Sequence, residues 1–190
     1  MNADDIRRVV VESVALKERF FAESAPLLLE VGRRIAESLL SGGRVLAFGN
    51  GGSAADAQHF VAELVGRFQH ERAALSAIAL TTDPSVVTAV GNDMGFASVF
   101  RRQVEAHGRP GDVALGISTS GRSPNVVEAL RAARERGLVA VGLTGNGGGE
   151  LRGLVHHLID VPHEDTQRIQ EVHAMVLHLL GQVVEEAVHP

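Results

Sequence analysis

Five short apolar runs, separated by helical stretches, restrict this chain more than any other feature of its sequence. They cover residues 44–48, 75–80, 112–117, 138–143 and 158–161. None shows the polar–apolar alternation of a strand with one wet face, so each is read as a strand buried on both sides. Between them, helical segments are predicted over 54–68, 86–90, 99–107 and 125–136. Buried strands alternating with helices specify the α/β class, here a doubly wound, five-stranded parallel sheet covered on both faces.

Helical patterns also lie outside this repeat. Val10, Val14, Leu16 and Phe20 recur within 6–21, and Leu28, Val31, Ile35 and Leu39 within 26–40, predicting two leading helices. Ser41-Gly42-Gly43 stops the second. A long last helix is expected over 166–187, with Ile169, Val172, Val176, Leu180, Val183 and Ala187 on one stripe. Such outer helices either cap the sheet or pack against another subunit. With 190 residues and no linker or repeat, the chain reads as one domain, 1–190, in which 1–41 is a helical extension used for oligomer packing.

Composition narrows the chemistry. The chain has no Cys, which excludes disulfides, thiolate metal sites and cysteine nucleophiles. It has no Trp or Tyr, so ligand recognition must rest on hydroxyls, amides and backbone groups rather than on stacking. A formal charge of −5 offers no basic footprint for nucleic acid. No run approaches the roughly 20 apolar residues of a membrane span, and the start MNADDIRRVV has no apolar h-region, so a cytoplasmic location is expected.

Ligands of an open parallel sheet bind beyond the carboxyl ends of its strands, and two loops there stand out. Gly49-Asn50-Gly51-Gly52-Ser53 leaves a strand and enters a helix. Its glycines permit close backbone approach, and the helix start offers free N–H groups. The stretch also fits the loose dinucleotide pattern G-x-G-x-x-A, but no acid ends the next strand (Asp83 is nearest). The second loop, Ser118-Thr119-Ser120-Gly121-Arg122-Ser123, crowds four hydroxyls before a helix. A helix cap needs one hydroxyl, so four point to a phosphate cradle.

His59 and Glu63 stand at i and i+4, on one helix face behind the glycine loop. That spacing suits two ligands of one metal ion, a base with its orienting partner, or a plain surface pair. The last helix adds Gln170, His173 and His178. Spacing by itself does not choose among these histidines.

Five motifs in order, Gly49-Asn50-Gly51-Gly52-Ser53, His59-Phe60-Val61-Ala62-Glu63-Leu64, Gly91-Asn92-Asp93, Ile117-Ser118-Thr119-Ser120-Gly121 and Arg168-Ile169-Gln170-Glu171-Val172-His173, resemble the sugar-isomerase (SIS) domain family. Within it the chain is similar to the isomerases of seven-carbon sugar phosphates. The resemblance implies substrate contacts at Gly51, Gly52, Ser53, Glu63, Asn92, Asp93, Ser118, Thr119, Ser120, Ser123 and Gln170. It implies one divalent metal per subunit, usually zinc (Zn2+), held by His59, Glu63, Gln170 and His178, with Glu63 and His178 as the acid/base pair. The implied reaction converts sedoheptulose 7-phosphate to glycero-manno-heptose 7-phosphate, the first step toward activated heptose for surface glycans. Where some relatives carry Asp before Arg-Ile-Gln, this chain has Gln167, with Asp165 two positions earlier.

Two rivals belong to other classes. Non-catalytic SIS proteins that bind the replication initiator DnaA lack the groups matching Glu63 and His178. A regulator that only senses a sugar phosphate would keep the phosphate loop without needing the metal set. Finally, Gln170 and His178 are eight residues apart, roughly 12 Å along a helix and about 80° around it. That separation predicts a site at a subunit interface of a homo-oligomer, the tetramer that the resemblance implies, with one ligand drawn from a neighbour.

Overall fold

The computed structural model of the chain describes residues 1–189. Helix α1 (Ala3–Leu40) leads into strand β1 (Val45–Gly49), helix α2 (Gly52–Val65), strand β2 (Ala77–Ala79) and helix α3 (Pro84–Met94). Helix α4 (Val99–His107), strand β3 (Val113–Ser118), helix α5 (Pro124–Glu135), strands β4 (Val139–Gly145) and β5 (His157–Val161) and helix α6 (Thr166–Val188) complete it. The five strands form one all-parallel sheet in the order β2-β1-β3-β4-β5, as the buried runs predict.

Each face of the sheet carries its own core. Val45, Ala47, Val113, Leu115 and Ile117 point into a layer made with α1, α2 and α6. The alternate residues Leu46, Phe48 and Ala114 point into a second layer with Val99, Phe100, Val126 and Leu130 of α4 and α5. Because successive side chains of a strand face opposite ways, both sets must be apolar, which is why the runs do not alternate.

The two expected leading helices are one continuous helix of 38 residues with Pro26 inside it. A proline within a helix removes a hydrogen bond and crowds the preceding turn, at a cost of about 3 kcal/mol. Burial on both sides offsets that cost: Leu16 and Phe20 before Pro26, and Leu28, Val31 and Ile35 after it, enter the same core. At Gly32 the approach of α6 is so close that a Cβ would sit 2.5 Å from Val183 Cγ1. Val10 and Val14, assigned to the buried stripe by periodicity, are about half exposed, as are Ile6 and Leu29.

The order of the strands decides where a ligand can bind. From β1 the chain turns one way to β2 and then crosses to β3 on the other side. The crevice therefore opens between the carboxyl ends of β1 and β3, where the direction switches. Gly49 is paired with Ile117 there, so the glycine loop and the hydroxyl loop leave the sheet side by side.

Candidate active site

The two loops enclose a cavity of about 320 Å³ lined by Asn50, Gly51, Gly52, Ser53, Ile117, Ser118, Thr119, Ser123, Thr166 and Gln170. Gly51 turns the chain into α2 at φ +55°, a conformation that favours glycine. At Gly52 a Cβ would lie 2.6 Å from Gln170 Nε2, so the absent side chain leaves room for the amide. Ser123 stands at the N-cap position of α5 without capping it; its hydroxyl lies 2.9 Å from that of Ser118. Neither α2 nor α5 has a side-chain cap, so both helix starts present N–H groups beside the cavity.

The two loops are tied by Asn50 and Asn125, whose side-chain amides exchange hydrogen bonds in both directions. The two residues are 75 positions apart, and no local pattern marks such a pair.

Helices α2 and α6 run alongside each other away from the cavity. Two turns into α2, His59 Nε2 lies 3.2 Å from Glu63 Oε1. From α6, His178 Nε2 lies 3.6 Å from the same oxygen. One ligand atom from each of the three residues falls within 4.8 Å of the other two. The side chain of Glu63 is only 14% exposed, whereas the imidazoles are about half exposed, so the carboxylate forms the floor and the rings the rim. The rings meet edge to face at 5.1 Å between centroids, and Phe68 stacks against His178 at 6.1 Å. Nearby, burial pushes the Asp56 carboxyl up from its ordinary value, and His59 pulls it partly back.

The triad of His59, Glu63 and His178 therefore forms within one chain. Gln170 reaches its place from a regular part of α6, against Gly52 in the cavity wall. Ser120 is exposed and accepts a hydrogen bond from the backbone N–H of Arg122 at 3.3 Å rather than lining the cavity. Asn92 and Asp93 stand exposed on α3, bonded to each other at 2.7 Å, and do not line the cavity either. Asp165 caps α6 by accepting from the backbone N–H of Gln167, which occupies it structurally. His173 lies apart from the triad, fully buried, with Nε2 donating to the Thr144 carbonyl at 3.0 Å. Burial lowers its pKa to about 4, and the Thr144 bond opposes that shift.

The donor set fits a metal ion. Two imidazoles and a carboxylate match the nitrogen and oxygen ligands that zinc accepts. Glu63 Oε2 is buried and has no hydrogen-bond partner within the chain, as expected of an oxygen that serves something else.

Comparison with known proteins identifies the family. A model of the SIS domain matches residues 10–145. A phosphoheptose isomerase of Nitratidesulfovibrio vulgaris is 50% identical over 96% of this chain and 89% of its own. The solved phosphoheptose isomerase of Neisseria gonorrhoeae superposes with a TM-score of 0.91 at 42% identity, covering 96% of this chain and 98% of the other. That of Francisella tularensis gives 0.94 at 35% identity, covering 98% and 100%. By fold and sequence, the chain belongs to the SIS-domain family and, within it, to the phosphoheptose isomerases.

Proposed function

We propose that the chain is a ketose–aldose isomerase that converts sedoheptulose 7-phosphate to glycero-manno-heptose 7-phosphate. The observation that carries this reading is the meeting of Glu63 with two imidazoles on the helices that also wall the hydroxyl-lined cavity. Both Glu63 and His178 are present and adjacent, which a purely binding member of the family would not require.

In this reading the phosphate sits against Ser118, Thr119 and Ser123, where hydroxyls and the start of α5 favour an anion. The sugar faces Gly51, Gly52, Ser53 and Gln170. Ser120, Asn92 and Asp93 belong to the proposed contact set only if their exposed segments move onto the ligand. The reaction transfers a proton from C1 to C2 through an enediol. Glu63 is assigned the carbon proton, and His178 the proton exchanged with the substrate oxygens. His59, Glu63 and His178 would hold a divalent ion, zinc by preference, with Gln170 as the fourth donor. When bound, such an ion polarises the carbonyl and hydroxyl oxygens, a task for which these loops offer no lysine.

The assembly is proposed as a homo-oligomer, a tetramer, with α1 at the contact. Half-exposed Ile6, Val10, Val14 and Leu29 on α1 support that role. Among the described residues no helix is long and apolar enough to cross a membrane, in keeping with a cytoplasmic place.

A coupled isomerase assay with sedoheptulose 7-phosphate tests the function. Activity should disappear after chelation and return with added zinc. Purified, folded protein that leaves this substrate unchanged in the presence of zinc would sink the proposal.

A further inference from the structure

Beyond the triad, one buried ion pair joins the two helices that carry it. Glu185 of α6 and Arg72, in the segment after α2, have side chains only 2% and 5% exposed, and Arg72 Nε donates to Glu185 Oε1 at 3.1 Å. The rest of the guanidinium closes the end of α2. Nη2 donates to the Glu63 carbonyl at 2.7 Å, and Nη1 to the Leu64 carbonyl at 2.9 Å and that of Ala73 at 3.1 Å. The last carbonyls of a helix have no partner within it, so Arg72 supplies bonds that α2 cannot make for itself. Glu185 in turn accepts from the backbone N–H groups of Phe68, Gln69 and His70. Burial by itself would push the Glu185 carboxyl up; these three donors and Arg72 reverse that, leaving it below the ordinary carboxylate value.

Each end of this clamp is close to the triad. One end grips the backbone of Glu63 itself. The other lies seven residues, two helical turns, beyond His178 on nearly the same side of α6. Between them, at Gly181, α6 approaches so closely that a Cβ would lie 3.4 Å from Glu63 Oε2.

We propose that Arg72 and Glu185 are positioning residues that set the Glu63–His178 separation and hence the affinity of the triad for its metal. The inference rests on the metal reading proposed above. Neither residue touches the cavity, so the pair acts through the register of α2 against α6. A guanidinium is needed because its planar fork reaches both carbonyls and the carboxylate at once; an ammonium cannot.

The test is zinc affinity, measured on chelated and refilled protein by competition with a chromophoric chelator, with oligomeric state and Tm recorded on the same samples. Arg72→Ala, or Arg72→Lys should the alanine variant not fold, is expected to weaken zinc binding at least tenfold. In the same variant the KM for sedoheptulose 7-phosphate should stay within about threefold of wild type, since the phosphate loops are held by β1 and β3, while kcat at limiting zinc falls. Glu63→Gln serves as the reference for lost triad binding. Zinc binding that Glu63→Gln abolishes but folded Arg72→Lys retains in full would overturn the clamp alone. A lowered Tm with unchanged zinc affinity would overturn it equally, leaving only a structural pair. Zinc binding that is the same in wild type and in Glu63→Gln would instead overturn the metal reading, and the inference with it.

Discussion

The side-chain amides of Asn50 and Asn125 satisfy each other, Nδ2 to Oδ1 in both directions, at 2.9 and 2.8 Å. This pair fixes the glycine loop to the start of α5, tying the two walls of the cavity to each other. Asn125 is 2% exposed, and removing its amide leaves a half-buried partner without its bonds. Asn125→Ala should therefore cost about 1–3 kcal/mol in denaturant unfolding. It should also raise the KM for sugar phosphate several-fold, because the two walls lose their common anchor. An unchanged KM in a destabilised variant would confine the pair to stability.

Glu63→Gln and His178→Asn should each lower kcat by about 10²–10⁴-fold, the usual cost of a lost acid or base. Zinc content must be measured alongside, since both residues also stand in the proposed ligand set. The two residues lie 3.6 Å apart within a single chain, so mixing the inactive variants after dissociation and reassembly should restore nothing. Recovered activity in mixed oligomers would show that the working pair forms across chains.

Two glycines of the loops that enclose the cavity should respond differently to alanine. At Gly52 the added Cβ meets the end of a flexible side chain, Gln170 Nε2 at 2.6 Å, which can swing away. Gly52→Ala should keep its Tm within a few degrees and lose at least tenfold in kcat/KM as Gln170 is displaced. Gly121 has φ +62°, and its Cβ would lie 2.0 Å from the Gly148 carbonyl oxygen, a backbone atom that cannot yield cheaply. Gly121→Ala should cost about 3 kcal/mol or more. Equal thermal melting of the two variants would contradict this contrast.

His173 predicts how stability responds to acid. Its folded pKa is about 4, against 6.5 for the free side chain. Below pH 6.5 the unfolded chain takes up a proton that the folded chain refuses. This contribution to stability is complete above pH 6.5 and declines by roughly 3 kcal/mol as pH falls to about 4. Glu185, held below its ordinary value, adds a loss only in more acid solution. Urea melts at pH 7.5, 6 and 5 should follow this slope, and His173→Gln should flatten it. A slope that survives the substitution would place the proton elsewhere.

Much of this molecule follows from its sequence because the relevant physics is local. Strands buried on both sides announce themselves by runs without polar alternation, and Leu46, Phe48, Val113 and Leu115 serve both cores as those runs require. Glycine and hydroxyl loops at strand ends are legible for the same reason, since turns and helix starts depend on neighbours a few residues away. His59 and Glu63 share a helix face by spacing alone.

Contacts between distant segments were decided by the tertiary structure. Pro26 marks a helix break by local propensity, yet α1 runs straight through it because α6 buries apolar residues on both sides. Spacing left His173 and His178 indistinguishable; packing of α6 put one against the carboxyl end of β4 at Thr144 and the other against Glu63. Asn50 with Asn125, and Arg72 with Glu185, are joined across 75 and 113 positions. Such pairs leave no periodic trace, because each depends on where the sheet order and the packing of α2 against α6 bring two remote segments together.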